Sequence, residues 1–225
     1  MTAKPAELIT TYGEDSPFAE AYRILRVNML QANKALWSLG VTGVHPRHGS
    51  STTAANLGLV MAETESRVVV VDADMYKPAL HRLFEVPNEV GLSTVLQRRA
   101  NLQPALQAVN GTGGLRVLPA GPKIKNPVAL LQPESISRLL AQLRSEADFV
   151  IFDLPSISAV AYASLIASAL DGLLLVVRAG AAPVNVDSMV KRRLHGVNVI
   201  GVVLNNVPVT GSELASYSYY GRLKS

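Results

Sequence analysis

Three carboxylates stand where apolar runs end. The segment VVVVDADMYKP puts Asp72 and Asp74 two residues apart at the close of one run, and FVIFDLP puts Asp153 at the close of another. Acidic side chains at the ends of neighbouring strands suit a hard divalent cation. Mg²⁺ takes one or two carboxylates or hydroxyls from a protein and completes its octahedron with phosphates and water. A third segment, Gly43-Val-His-Pro-Arg-His-Gly-Ser-Ser-Thr52, follows an apolar run and passes into a helical pattern at Ser50, Ser51 and Thr52. A turn, a glycine and hydroxyl residues at a helix start frame a phosphate cradle, because free amides and the helix dipole attract an anion there. Against the loop pattern G-x-x-x-x-G-K-[ST], Gly49 fills the second glycine position and Ser51 that of the metal-binding hydroxyl. Val44 stands at the first glycine position and Ser50 at the lysine position. Alone, such a loop is an ordinary helix start and such aspartates are turn or strand-end residues. The three segments together point to a Mg²⁺–nucleotide site.

Other chemistries find little support. The chain has no cysteine, which removes thiol nucleophiles, redox pairs and cysteine zinc sites. His45, His48, His81 and His195 lack the close helical spacing of a zinc site, and Ser50 and Ser51 lack the G-x-S-x-G elbow of a hydrolase nucleophile. With 225 residues, 48% hydrophobic and 17% charged, the chain is rich enough in apolar residues to bury a core and is not a disordered sequence. Its net charge of +4 is compatible with phosphates, acidic lipid or nucleic acid and selects none of them. The opening MTAKPAELITTYGED has no apolar segment after a basic one, so no secretory signal is read there. No run reaches the ~20 apolar residues of a membrane span. A soluble, cytoplasmic protein is expected.

The elements that must position these residues alternate along the chain. Strands are expected at Leu39–Val44, Arg67–Asp72, Leu115–Pro119, Asp148–Asp153, Gly172–Val177 and Val197–Asn205. Runs such as VVVV, FVIF and LLLVV are unbroken, as in parallel strands covered on both faces. Helical patterns lie between them at Ser51–Glu63, Glu134–Ala147, Ala159–Leu170 and Pro183–His195. A further helix from Pro17 to Asn33, capped by Ser16, comes first, and Asn101–Gly114 reads as a surface helix and loop. This alternation predicts an α/β fold, a doubly wound, mostly parallel sheet with helices on both faces, of the P-loop NTPase kind. Ligands bind such sheets beyond the carboxyl ends of the strands, where the aspartates and the loop lie. We read 1–225 as one domain: 1–36 an N-terminal oligomerisation helix, 37–208 the core, and 209–225 a tyrosine-containing tail.

The sequence resembles the bacterial tyrosine kinases of capsule and exopolysaccharide synthesis, within the deviant Walker ATPases that include septum-site and partition proteins. The likeness runs from Ser16 to Arg222. SPFAEAYRILRVN is similar to that family's N-terminal helix, with Glu20, Arg23 and Arg26 on its E-x-x-R-x-x-R subunit-contact motif. VVVVDADMYKPALHRLFEVPNEVGLSTVL resembles its Walker A′ block, GPKIKNPVALL the segment before its Walker B strand, and FVIFDLPSI that strand. The resemblance gives Asp72, Asp74 and Asp153 catalytic roles, and Mg²⁺ to Ser51, Asp72 and Asp153. It gives nucleotide contacts to Arg47, Gly49, Ser50, Ser51, Thr52 and Asn205, the last at the position that reads adenine. SYSYYGR is similar to the family's phosphoacceptor cluster, here Tyr217, Tyr219 and Tyr220.

The loop departs from the family's PGEGKST at two places, reading PRHGSST. Ser50 removes the lysine that holds the β- and γ-phosphates, and Arg47 replaces a glycine. A lost charge-assisted contact is worth about 1.5–3 kcal/mol, so Mg–ATP or ADP is expected to bind weakly or not at all. Arg47, His48 and Lys77 are the cations available as substitutes. The expected protein is therefore an impaired, pseudokinase-like regulator of polysaccharide synthesis and export. The resemblance implies a ring-like homo-oligomer held at the inner face of the membrane by a polysaccharide co-polymerase partner, with no nucleic acid bound. The alternatives are an active tyrosine autokinase and a septum-site or partition-type positioning ATPase.

Overall fold

The computed structural model of the chain describes residues 8–13, 16–64, 66–181 and 186–208. After a 3₁₀ turn at Ile9–Thr11 come α1 (Pro17–Ala32), β1 (Ser38–Gly43), α2 (Ser50–Ala62), β2 (Val68–Asp72) and three short helices, α3 (Leu80–Leu83), α4 (Leu92–Leu96) and α5 (Leu102–Ala105). Then follow β3 (Gln107–Ala108), β4 (Leu115–Leu118), a 3₁₀ turn at Pro127–Leu130, α6 (Pro133–Glu146), β5 (Phe149–Leu154) and α7 (Tyr162–Ala167). The last three elements are β6 (Gly172–Arg178), α8 (Val186–Arg193) and β7 (Val199–Asn205).

The seven strands form one sheet in the order β3-β4-β2-β5-β1-β6-β7, parallel everywhere except at β3–β4. The β-branched runs explain its centre: every residue of β1, β2 and β5 is buried. Alternate side chains enter opposite cores. Val69, Val71, Val150 and Phe152 face the layer of α6 and α7, and Val68, Val70 and Ile151 face the layer of α1 and α2. In α6, Ile136, Leu139 and Leu143 make the inward stripe at helical spacing. The helix α2 needs a different solution, because ten consecutive residues from Thr53 to Ala62 are buried. Small residues let it lie close on the sheet: a Cβ at Gly58 would stand 2.4 Å from Val70 Cγ2.

The expected strands and long helices are present with ends moved by no more than two residues, apart from α7, which is shorter, and α8, which is described from Val186. The helix expected at Ala159–Leu170 is ordered as α7 over Tyr162–Ala167 only, because Pro155 through Ala161 forms a turn that packs on the first loop through Ile157 and Ser158. The helix expected at Pro183–His195 is described as Val186–Arg193, with residues 182–185 outside the described set. Of the surface helix and loop expected at Asn101–Gly114, the helix is present as α5, and part of the expected loop is β3, which pairs antiparallel with β4. The tail 209–225 lies outside the described residues. Among the described residues no helix is long and apolar enough to cross a membrane.

Candidate nucleotide and magnesium site

The loop after β1 is shaped by its backbone. Arg47 has φ +66° and Gly49 φ +93°, so the chain passes twice through the left-handed region before α2 begins. Glycine adopts that region freely; for arginine it costs about 1–2 kcal/mol. Gly49 is the N-cap of α2 and has no side chain to offer, so amides of the first turn are left for an external acceptor. Glycine is also required by contact, since a Cβ at residue 49 would meet Asn205 Nδ2 at 2.0 Å.

The side chains around this loop are engaged with the protein itself. Asn205, at the end of β7, donates its Nδ2 to the His48 carbonyl at 3.0 Å and accepts from the Asn206 amide at 2.9 Å. His48 is 6% exposed, with Nδ1 3.3 Å from the Val176 carbonyl, so its ring turns inward. This takes His48 out of the set of substitute cations, whereas Arg47 and Lys77 are exposed. Ser50, Ser51 and Thr52 form the first turn of α2.

The carboxylates lie beyond the ends of β2 and β5. Asp72 and Asp153 are paired in register across these neighbouring strands, and both are fully buried. Asp72 is held by backbone amides: Oδ2 accepts from Ala79 and Leu80 at 2.9 Å each, and Oδ1 from Asp74 at 3.2 Å. Burial raises its pKa to about 6 against these bonds, and the Asp74 charge adds to the rise. Asp153 has no such support. Neither carboxylate oxygen has a donor at hydrogen-bond geometry, and burial together with the Asp72 charge drives its pKa well above the ordinary range. The Ser51 hydroxyl acts in the opposite direction. Asp74 turns back on its own loop, with Oδ1 accepting from Tyr76 at 3.2 Å and Lys77 at 3.0 Å.

A buried carboxylate with both oxygens unsatisfied is costly unless something charged or protic meets it. A Mg²⁺ ion would do so, held by Asp153 and Ser51 with Asp72 beside them, and would supply positive charge to phosphate oxygens. Among the described residues no three His, Cys, Asp or Glu side chains converge as a self-sufficient metal cage. An ion that relies on phosphates and water for most of its ligands needs none. Sequence reading missed Tyr162. Its fully buried hydroxyl donates to the Ala73 carbonyl at 3.1 Å, the peptide between Asp72 and Asp74, and burial and the Asp74 charge raise its pKa. The only signal was a lone tyrosine opening an otherwise small and aliphatic helix.

The remaining predicted residues lie elsewhere. Arg23 grips Glu63 at the end of α2 with Nε and Nη2, both at 2.9 Å, and reaches Glu20 at 3.5 Å. Arg26 donates to the Val60 carbonyl at 2.8 Å. Two members of the expected subunit-contact stripe thus tie α1 to the carboxyl end of α2, where cations favour the dipole. Tyr217, Tyr219 and Tyr220 fall outside the described residues.

A doubly wound sheet with a glycine-capped loop after its first strand and buried strand-end aspartates defines the P-loop NTPase fold. The family described as "Cellulose biosynthesis protein BcsQ" matches residues 36–201. The tyrosine-protein kinase YwqD of Bacillus subtilis is 34% identical over 90% of this chain and 86% of its own length, and the tyrosine-protein kinase CpsD of Streptococcus agalactiae is 30% identical over 90% of each. The crystal structure of the chimerical protein CapA2B2 superposes with a TM-score of 0.83 at 32% identity, covering 92% of both chains. The kinase domain of the Escherichia coli tyrosine kinase ETK gives 0.77 at 31% identity over 85% of this chain and 78% of that one. The septum-site-determining protein MinD of Pyrococcus horikoshii, at 19% identity and a TM-score of 0.61, shares the fold. This chain belongs to the bacterial tyrosine-kinase family of P-loop proteins.

Proposed function

We propose that this protein is a capsule or exopolysaccharide regulator that keeps the kinase fold and metal side of the site but transfers phosphate poorly or not at all. The observation that carries the reading is the pairing of two features at one loop. The lysine position is the short hydroxyl of Ser50, and Arg47 sits at φ +66° where a glycine would be unstrained. The inward turn of His48 supports it further, by removing one replacement cation. Ser51, Asp72 and Asp153 persist, so Mg–ADP or Mg–ATP would bind weakly, with the metal held better than the outer phosphates. In this reading the chain assembles as an oligomer through α1 and works at the inner face of the membrane with a polysaccharide co-polymerase partner.

Calorimetry with Mg–ATP on the natural chain and on the Ser50→Lys/Arg47→Gly double variant tests the proposal. Tighter binding by the variant, at least tenfold, is the expected outcome. Low-micromolar binding and ATP turnover by the natural chain would overturn it. A second reading, an active autokinase, is favoured by the exposure of Arg47 and Lys77 at the site. It requires phosphate on Tyr217, Tyr219 or Tyr220 when chain, partner segment, ATP and Mg²⁺ are combined; mass spectra without that modification rule it out.

A further inference from the structure

A cavity of about 470 Å³ opens between α7 and α8, at some distance along the chain from the phosphate loop. Ile157, Val160 and Met189 supply its apolar wall, and Ser164, Arg192 and Arg193 its polar one. None of the described residues lining it is acidic. Arg193 donates Nη1 to the Ile157 carbonyl at 3.3 Å, and Arg192 donates Nε to the Ser188 carbonyl at 3.3 Å. Each guanidinium carries five N–H donors, so most remain for a guest. Among the described residues neither arginine forms an ion pair.

Two arginine forks select an oxyanion, and a phosphate dianion matches both forks in charge and geometry. The facing wall requires that the anion be carried on an apolar body, and a thioether beside it favours an aromatic ring. The volume holds one side chain and its phosphate with room to spare and is too small for a long acyl chain, which separates an aryl phosphate from a lipid. The sequence offers such a group in its C-terminal stretch. β7 lies beside β6, and Tyr217 comes nine positions after Pro208, a reach of about 30 Å when extended.

We propose that this cavity binds a phosphotyrosine side chain presented by the C-terminal stretch of this chain or of a second copy. It rests on the reading above only in taking those tyrosines as phosphate carriers. The site also adjoins the phosphate loop: the Ile157 amide donates to the Gly43 carbonyl at 3.1 Å, and the Ser158 amide to the Val44 carbonyl at 3.3 Å.

The test supplies the phosphate synthetically, so that it stands apart from any kinase activity. Labelled peptides of residues 212–225, phosphorylated singly at Tyr217, Tyr219 or Tyr220 or left unmodified, are titrated into the full chain by fluorescence anisotropy. At least one phosphopeptide is expected to bind tenfold or more tightly than the unmodified peptide. Arg192→Glu, at an exposed position, is expected to remove that difference with the melting temperature unchanged, and phenyl phosphate to compete better than inorganic phosphate. Equal affinity for all peptides would overturn the proposal, as would a preference untouched by Arg192→Glu and Arg193→Ala together. Sizing of full chain carrying phosphate at the preferred tyrosine separates the sources: mass that rises with concentration assigns the guest to a second copy, and a monomer that no longer takes up peptide assigns it to its own tail.

Discussion

The opposed fates of Asp72 and Asp153 show how much a few amides matter. Both are buried, but one is surrounded by backbone donors and the other has none. A carboxyl whose pKa is raised by folding holds its proton in the native state at pH values where the unfolded chain has lost it. Its contribution to stability is complete below the ordinary pKa and is lost as pH rises through the folded value. For Asp72 that window runs from 3.8 to about 6, and for Asp153 it extends upward from the same start. His81, whose pKa is lowered chiefly by burial, acts in the opposite sense, so the clean quantity is a difference between proteins. Urea denaturation from pH 5 to 8 is expected to show Asp153→Asn gaining on the natural chain as pH rises, and added Mg²⁺ narrowing the gap. A second prediction concerns Arg47. Its replacement by glycine relieves a left-handed backbone at the cost of greater unfolded freedom, and is expected to raise unfolding free energy by up to about 1 kcal/mol. Sequence alone located all three aspartates, because they close apolar runs that announce themselves, and the resemblance to the family's loop located both departures. It missed the inward turn of His48 and the hydroxyl of Tyr162, since which way a ring points is decided by neighbours more than 80 residues distant.

Elements were legible wherever burial imposes a period. The strands β1, β2 and β5 are apolar throughout because both faces are covered, and α6 carries an inward stripe. The antiparallel β3 escaped notice because two residues, half-buried and exposed, carry no period at all. The shortened α7 has the same kind of cause, as tertiary bonds from Ile157 and Ser158 to the first loop override a helical pattern. The packing of α2 gives the sharpest prediction at this scale. Gly58→Ala would raise helix propensity by about 1 kcal/mol, yet its methyl group would collide with Val70. We expect a net loss of roughly 1–3 kcal/mol, read by urea denaturation, because overpacking a close helix–sheet contact outweighs propensity.

Across the whole molecule the sequence gives no direct measure of assembly, and the structure sharpens how assembly can be tested. Arg23 and Arg26 serve α2 of their own chain, so replacing either disturbs the fold as well as any interface. Glu20 is freer: its side chain is 49% exposed and meets Arg23 only at 3.5 Å. If α1 joins subunits, Glu20→Ala lowers the mass measured by light scattering while the melting temperature falls by no more than about 4 °C, an exposed pair being worth about 0.2–1 kcal/mol. An unchanged oligomer would rule out that contact. A last consequence belongs to the bond between Asn205 and the His48 carbonyl, partners 157 positions apart. During synthesis the glycine-bearing turn leaves the ribosome early, but the amide that latches it arrives only when the final strand does. Nascent or prematurely terminated polypeptides that stop before that strand therefore carry the turn without its fastening.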